Sequence, residues 1–204
     1  MDAFNKLAEM FTRFPGIGPR QAKRFVYFLL SAQNGFREEL ARLLIELRRQ
    51  SATCASCKRF FVPVIGKELC AICADINRDY ALLMIVEKDI DLENIERSHA
   101  YRGAYFVLGG TIPILEKNPS ERVRLKELER IISARAKSGL KEVIMAISLT
   151  AEGENTAEYI VDFLKESAER ENFKLTKLGR GLSTGSELEY SDPETIKNAF
   201  MNRQ

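Results

Sequence analysis

No stretch of this 204-residue chain approaches the roughly 18 consecutive apolar residues that a membrane span needs. The start, Met1-Asp2-Ala3-Phe4-Asn5-Lys6, carries an acid early and shows no apolar signal stretch, so it is expected to form the first helix of the fold. The expected compartment is the cytoplasm. A phosphate loop of the form GxxxxGKS or GxxxxGKT is missing, so nucleotide hydrolysis is not indicated. The single histidine, His99, has no evident nucleophile near it in sequence, and a solvent-facing or packed role is expected for it. No internal repeat or low-complexity tract is present. What remains is an ordinary globular balance, 45% hydrophobic and 29% charged, enough to fill one large core or two to three small ones.

Net charge is only +2, but it is unevenly spread. Residues 1–60 hold 11 Lys and Arg against 5 Asp and Glu, a balance of +6; residues 61–204 hold the other 20 and 24, a balance of −4. A basic first third suggests that a polyanion meets the N-terminal part. Chance clustering on solvated helix faces would look the same from charge alone.

Periodicity divides the chain. Phe4, Leu7, Ala8 and Phe11 repeat at helical spacing, Pro15 and Gly16 break the pattern, and Ala22, Phe25, Val26, Leu29 and Leu30 resume it. Leu40, Leu43, Leu44 and Leu47 give a third helix. Residues 51–79 have no long period. Strands then alternate with helices: strands at 81–86, 104–108, 143–149 and 173–178, helices at 91–98, 121–137 and 155–170. That alternation implies a mainly parallel sheet covered on both faces. A last helix is expected from Pro193, capped by Asp192 or Ser191.

All four cysteines lie in the unpatterned stretch, as Cys54-x-x-Cys57 and Cys70-x-x-Cys73 with twelve residues between the pairs. Each CxxC lets a tight turn aim two thiolates at one point, and two turns close a tetrahedral four-sulfur shell. A closed shell predicts one structural zinc per chain. Disulfides are disfavoured in the cytosol, and a thioredoxin-like redox pair would leave the second CxxC unexplained. The loop between the pairs is too small for its own core, so metal binding there is expected to supply folding energy. Few basic residues accompany the cysteines, which reads as a rigid joint and not as a nucleic-acid-reading finger.

The segment Phe14-Pro-Gly-Ile-Gly-Pro-Arg-Gln-Ala-Lys-Arg-Phe-Val26 sits between two amphipathic helices. Gly16 and Gly18 permit backbone angles that other residues avoid, and Pro19 fits a first helical turn. The exposed amides at that helix start form an anion site. Arg20, Lys23, Arg24 and Tyr27 share the face opposite Ala22, Phe25, Val26 and Leu29. This resembles a helix-hairpin-helix motif, which binds DNA through phosphates without base readout. A plain turn with capping glycines is the alternative.

Glu87 directly follows the first strand, and Ser148, Thr150, Glu152 and Glu154 follow the third. In open α/β sheets ligand sites collect at the carboxyl ends of strands. The arrangement resembles a Toprim domain, in which a Glu after the first strand and an Asp-x-Asp after the third hold magnesium. The Glu-Gly-Glu that extends the second motif in some of those enzymes is present at 152–154, but Ser148 and Thr150 stand where the two aspartates belong. Hydroxyls supply no charge, which argues against metal-dependent catalysis. The remaining acids have three readings: a protein-docking surface, helix N-terminal acids favoured by the macrodipole, or a weak metal site.

In this order, these motifs make the whole chain similar to the RecR family of recombination mediators. Matching stretches are Phe14–Arg24, Cys54–Cys73, Val86-Glu87 with Asp91, Tyr101-Arg-Gly with Tyr105–Leu108, Thr150–Ala157 and Gly181–Tyr190. The resemblance implies an α+β chain in parts: a helix-hairpin-helix region (1–52), a four-Cys zinc finger (53–79), a Toprim-like α/β domain with a mainly parallel sheet (80–178), and a C-terminal oligomerisation segment (179–204). It implies a DNA-repair factor without enzymatic activity that acts in the cytoplasm, at the nucleoid. Family members form ring-shaped homo-oligomers, commonly tetramers, that encircle single- or double-stranded DNA without sequence preference. They work with RecO, and in some organisms RecF, to load RecA on single strands. Carried over, Gly16, Gly18, Arg20, Lys23 and Arg24 would face DNA, and Glu87, Asp91, Glu152 and Glu154 would lie near the RecO-docking surface.

Two departures bear on the ring. Ser183 replaces the usual proline near the C-terminus, and Gly109–Asn118 lacks the usual glycine-rich continuation. A small magnesium-dependent Toprim nuclease or primase-like enzyme is the competing function, and the missing Asp-x-Asp separates the two.

Overall fold

The computed structural model describes residues 2–64, 66–182, 185 and 187–202. Ser183, one of the two departures, lies outside the described residues. The chain divides into two compact units, 1–51 and 52–204.

The first unit is helical. Helix α1 (Ala3–Phe11) is capped by Asp2, whose carboxylate accepts from Asn5 N–H at 2.8 Å. Helix α2 (Pro19–Ser31) returns along it after a turn in which Ile17 N–H bonds Phe14 O at 3.1 Å. The two meet through buried Ala8, Ala22 and Val26, with the Phe11 and Phe25 rings edge-on at 5.7 Å. Helix α3 (Asn34–Gln50) forms as its periodicity predicts, yet none of its residues is buried. Leu43, Leu44 and Leu47 are exposed, as is Leu30 of α2. The spacing sets which face is apolar; it does not supply a partner for that face.

The second unit is an α/β sandwich with the cysteine unit built into it. Strands β1 (Ala52–Thr53) and β2 (Phe60–Phe61) pair antiparallel around the first CxxC, and a one-turn helix α4 (Ala71–Ala74) carries the second. The sheet follows: β3 (Asp79–Val86), helix α5 (Asp89–Ser98), β4 (Gly103–Val107), helices α6 (Pro119–Arg122) and α7 (Leu125–Ala136), β5 (Glu142–Ala146), helix α8 (Ala151–Glu171) and β6 (Lys174–Lys177). All three pairings in the order β4-β3-β5-β6 are parallel. A 3₁₀ turn (Leu188–Tyr190) and helix α9 (Pro193–Met201) end the described chain, with Asp192 capping α9 through Glu194 and Thr195 N–H.

Strand side chains alternate between two cores. Leu83, Ile85, Ala104, Phe106, Val143 and Met145 face α7 and α8. Met84, Val86, Tyr105 and Val107 face Leu92 of α5 and the four cysteines. The cysteine unit therefore shares the sheet's core on that face.

Helix α5 starts two residues earlier than expected, at Asp89, and two larger differences from the sequence expectation follow. The single helix expected over 121–137 is two, because Val123 is extended (φ −135°, ψ 159°) and the Arg124 N–H bonds Leu108 O at 3.0 Å instead of continuing a helix. The helix expected from Asn155 begins at Ala151, since Thr150 caps it by accepting from Gly153 N–H at 3.1 Å. Glu152 and Glu154 thus lie in its first turn.

Candidate metal centre and nucleic-acid interface

The four cysteines converge. All are buried free thiols, and their sulfurs lie within 4.8 Å of one another, Cys57 and Cys70 at 3.6 Å. A tetrahedral ion with sulfur bonds of about 2.3 Å needs edges of about 3.8 Å, so the cluster fits one. Each CxxC turn is locally braced: Lys58 N–H bonds Cys54 O at 3.1 Å, and Ala74 N–H bonds Cys70 O at 3.0 Å. Cys70 N–H also points at the Cys54 sulfur, 3.4 Å away, which favours a thiolate there. Four thiolates this close together repel one another. A divalent cation is what would let all four ionise together.

The hairpin is arranged as its sequence suggests. Gly16 takes φ +76°, a region that a side chain resists. Gly18 stands at the α2 N-cap with no side-chain cap, leaving the first amides of the helix toward solvent. Arg20, Lys23 and Arg24 are all exposed, while Ala22 behind them is fully buried. Tyr27, on the same stripe, sets its ring edge-on to Phe4 at 5.0 Å.

The acids do not form one surface. Glu87 is buried, only 4% exposed, and its carboxylate accepts from Ser148 N–H at 2.6 Å. It does not offer itself for docking, because both its position and its charge are turned inward. Asp91 accepts from Lys88 N–H at 2.9 Å, closing the start of α5. Glu152 accepts from the Thr111 hydroxyl at 3.2 Å, and Glu154 pairs with Arg180 at 2.7 Å. Of the expected docking residues, Glu152 alone is exposed; Asp91 and Glu154 are half-buried. The groove at the carboxyl ends of β5 and β6 is lined by Met145, Ile147, Leu149, Lys177, Leu178 and Arg180 among others, and no carboxylate lines it. Nothing there suits a hard divalent cation.

Three residues inside the matching stretches have roles that the sequence alone did not assign. Gly153 packs so close that a Cβ would stand 2.0 Å from Ser148 O, which explains the glycine of Glu-Gly-Glu by contact. At Gly103 a Cβ would stand 2.2 Å from the Tyr101 hydroxyl oxygen and 2.9 Å from Leu82 Cβ, which explains the glycine of the Tyr-Arg-Gly stretch. Thr156 is wholly buried and accepts from Ile112 N–H at 2.8 Å, tying α8 to the loop after β4.

Comparison with known proteins places each part. Residues 4–48 match the family model described as RecR, helix-hairpin-helix; residues 81–178 match the Toprim domain; residues 181–204 match RecR, C-terminal. The chain is 39% identical over 200 residues to the Recombination protein RecR of Chloroflexus aurantiacus, covering 98% of this chain and 92% of that one. It is 35% identical over 200 residues to that of Desulforudis audaxviator (98% and 95%), and 34% over 203 residues to that of Legionella pneumophila (100% and 96%).

Proposed function

The chain belongs to the RecR family, whose place is recombinational DNA repair, and on that premise we propose that it is a DNA-binding mediator without catalytic chemistry. It acts with RecO, and RecF where present, to help load RecA on single-stranded DNA. It works at the nucleoid as a ring-shaped homo-oligomer, a tetramer, closed around single- or double-stranded DNA. The hairpin region (1–52) supplies the phosphate contacts through Arg20, Lys23, Arg24 and the amides after Gly18. The cysteine unit (53–79) holds one zinc through Cys54, Cys57, Cys70 and Cys73. The Toprim-like domain (80–178) docks RecO, with Glu152 as the main contact and Asp91 and Glu154 as separate ones. The C-terminal segment (179–204) joins copies.

One observation carries the reading against catalysis. The acid of the first Toprim motif is spent on the backbone of Ser148, where the second motif would need its own acid. Magnesium would find neither partner there. The test is incubation of the purified chain with single- and double-stranded DNA plus magnesium or manganese. Binding without cleavage is expected. Robust cleavage that disappears in Glu87→Ala would establish the enzyme instead.

A further inference from the structure

Strand β4 is the edge of the sheet, and an open edge leaves backbone groups unpaired. At its carboxyl end that edge is closed by the metal knuckle, where Val107 N–H donates to Cys57 O at 2.8 Å. Arg124 completes the join. Its Nη1 donates to Lys58 O at 2.8 Å and to Val107 O at 3.0 Å. Its guanidinium stands 6.0 Å from the centre of the Phe60 ring, on the second knuckle strand. Its side chain also lies against the turn after β4, since a Cβ on Gly109 would come within 3.3 Å of Nε. One arginine is thus fixed at once by residues 58–60 and 107–109.

The charge fits the metal. A divalent ion in four thiolates leaves the shell with a net charge of about −2. Arg124 has no acidic partner among the described residues, and its cation is met by carbonyls, one of them on the residue after Cys57. Lys58 itself sits at φ +64°, a conformation that side chains resist, so the carbonyl Arg124 holds belongs to a strained residue. The break between α6 and α7 falls at this arginine, so the local fold departs from the helical pattern where the contact is made.

We propose that Arg124 is a positioning residue that couples the metal knuckle to β4: it slows loss of the ion, and the loaded knuckle in turn seals the end of the strand. The inference rests on the reading of the cysteines as a metal site. It is tested on the full chain by measuring bound zinc, its transfer to a colorimetric chelator, and amide hydrogen exchange. Arg124→Met should release zinc about tenfold faster, as expected for loss of a charged hydrogen-bonding group. The Val107 amide should lose protection while Val143 and Met145 in β5 keep theirs. Arg124→Lys, which keeps the charge but not the two-carbonyl reach, should fall between. Stripping zinc from the unaltered chain should expose Val107 as Arg124→Met does, and the two together should add nothing further. Release at the unaltered rate in both variants, or exposures that add, would overturn the coupling. If Arg124→Met also exposes Val143 and Met145, the same two readouts on Arg124→Lys decide. A chain that purifies without bound metal would overturn the metal reading itself, and the coupling with it.

Discussion

Glu87 and Ser148 are joined by a 2.6 Å hydrogen bond from the Ser148 backbone N–H to the Glu87 carboxylate. The bond crosses from the end of β3 to the end of β5, the two strands whose carboxyl ends carry the Toprim motifs. It turns a position used for metal chemistry elsewhere into a structural tie.

Glu87→Ala should therefore act on stability. It leaves the Ser148 N–H without its partner and should cost about 1–3 kcal/mol. Glu87→Gln keeps an acceptor and should cost less. Thermal or denaturant unfolding measures both. Added magnesium should leave the unaltered chain's midpoint where it was, because ligands stabilise only what they bind.

Gly153→Ala tests the close approach of α8 to the same strand end. The new methyl would meet Ser148 O, and backbone has to move to admit it. The expected loss is about 1–3 kcal/mol, with the helical hairpin of residues 14–26 unaffected. A midpoint equal to that of the unaltered chain would show that α8 does not start as described.

Binding of DNA should follow the α2 stripe. Arg20→Glu with Arg24→Glu should abolish binding at low salt and leave the fold intact by circular dichroism. Single Arg→Ala changes should reduce the slope of log affinity against log salt by about 0.7 per lost phosphate contact on single strands and about 0.9 on duplex. Unchanged binding in the double variant would refute the hairpin as the contact.

Alkaline titration should separate two tyrosines. Burial pushes both Tyr101 and Tyr105 above the ordinary phenol range, and for Tyr101 the neighbouring Tyr105 adds to it. A group with a raised folded pKa contributes stability that is full below its unfolded value of about 10 and is lost as pH rises through the folded one. Tyrosinate absorbance should show these two ionising late and together with unfolding. Tyr105→Phe should soften that alkaline loss.

Much of the plan was legible in the sequence because spacing alone fixes it. Two CxxC pairs twelve residues apart could close on one point, and they do. The strand–helix alternation gave a parallel sheet because consecutive parallel strands need crossovers. Other features were not legible, for physical reasons. Glu87 stands at a strand end in sequence, but nothing in spacing says that its side chain turns inward. Val123, Leu125, Leu128 and Ile132 keep their core positions across the break before α7, so periodicity could not reveal it. Leu43, Leu44 and Leu47 mark an apolar face of α3 correctly and still remain uncovered among the described residues.

The central claim is that this chain helps a recombinase onto DNA without chemistry of its own. The most direct measurement is the rate of RecA filament formation on single-stranded DNA coated by binding protein, with RecO and this chain added singly and together. The account predicts acceleration by the pair beyond either alone, lost with Arg20→Glu and Arg24→Glu, and DNA recovered uncut. No acceleration by the pair, or strands cut in a magnesium-dependent way, would contradict it.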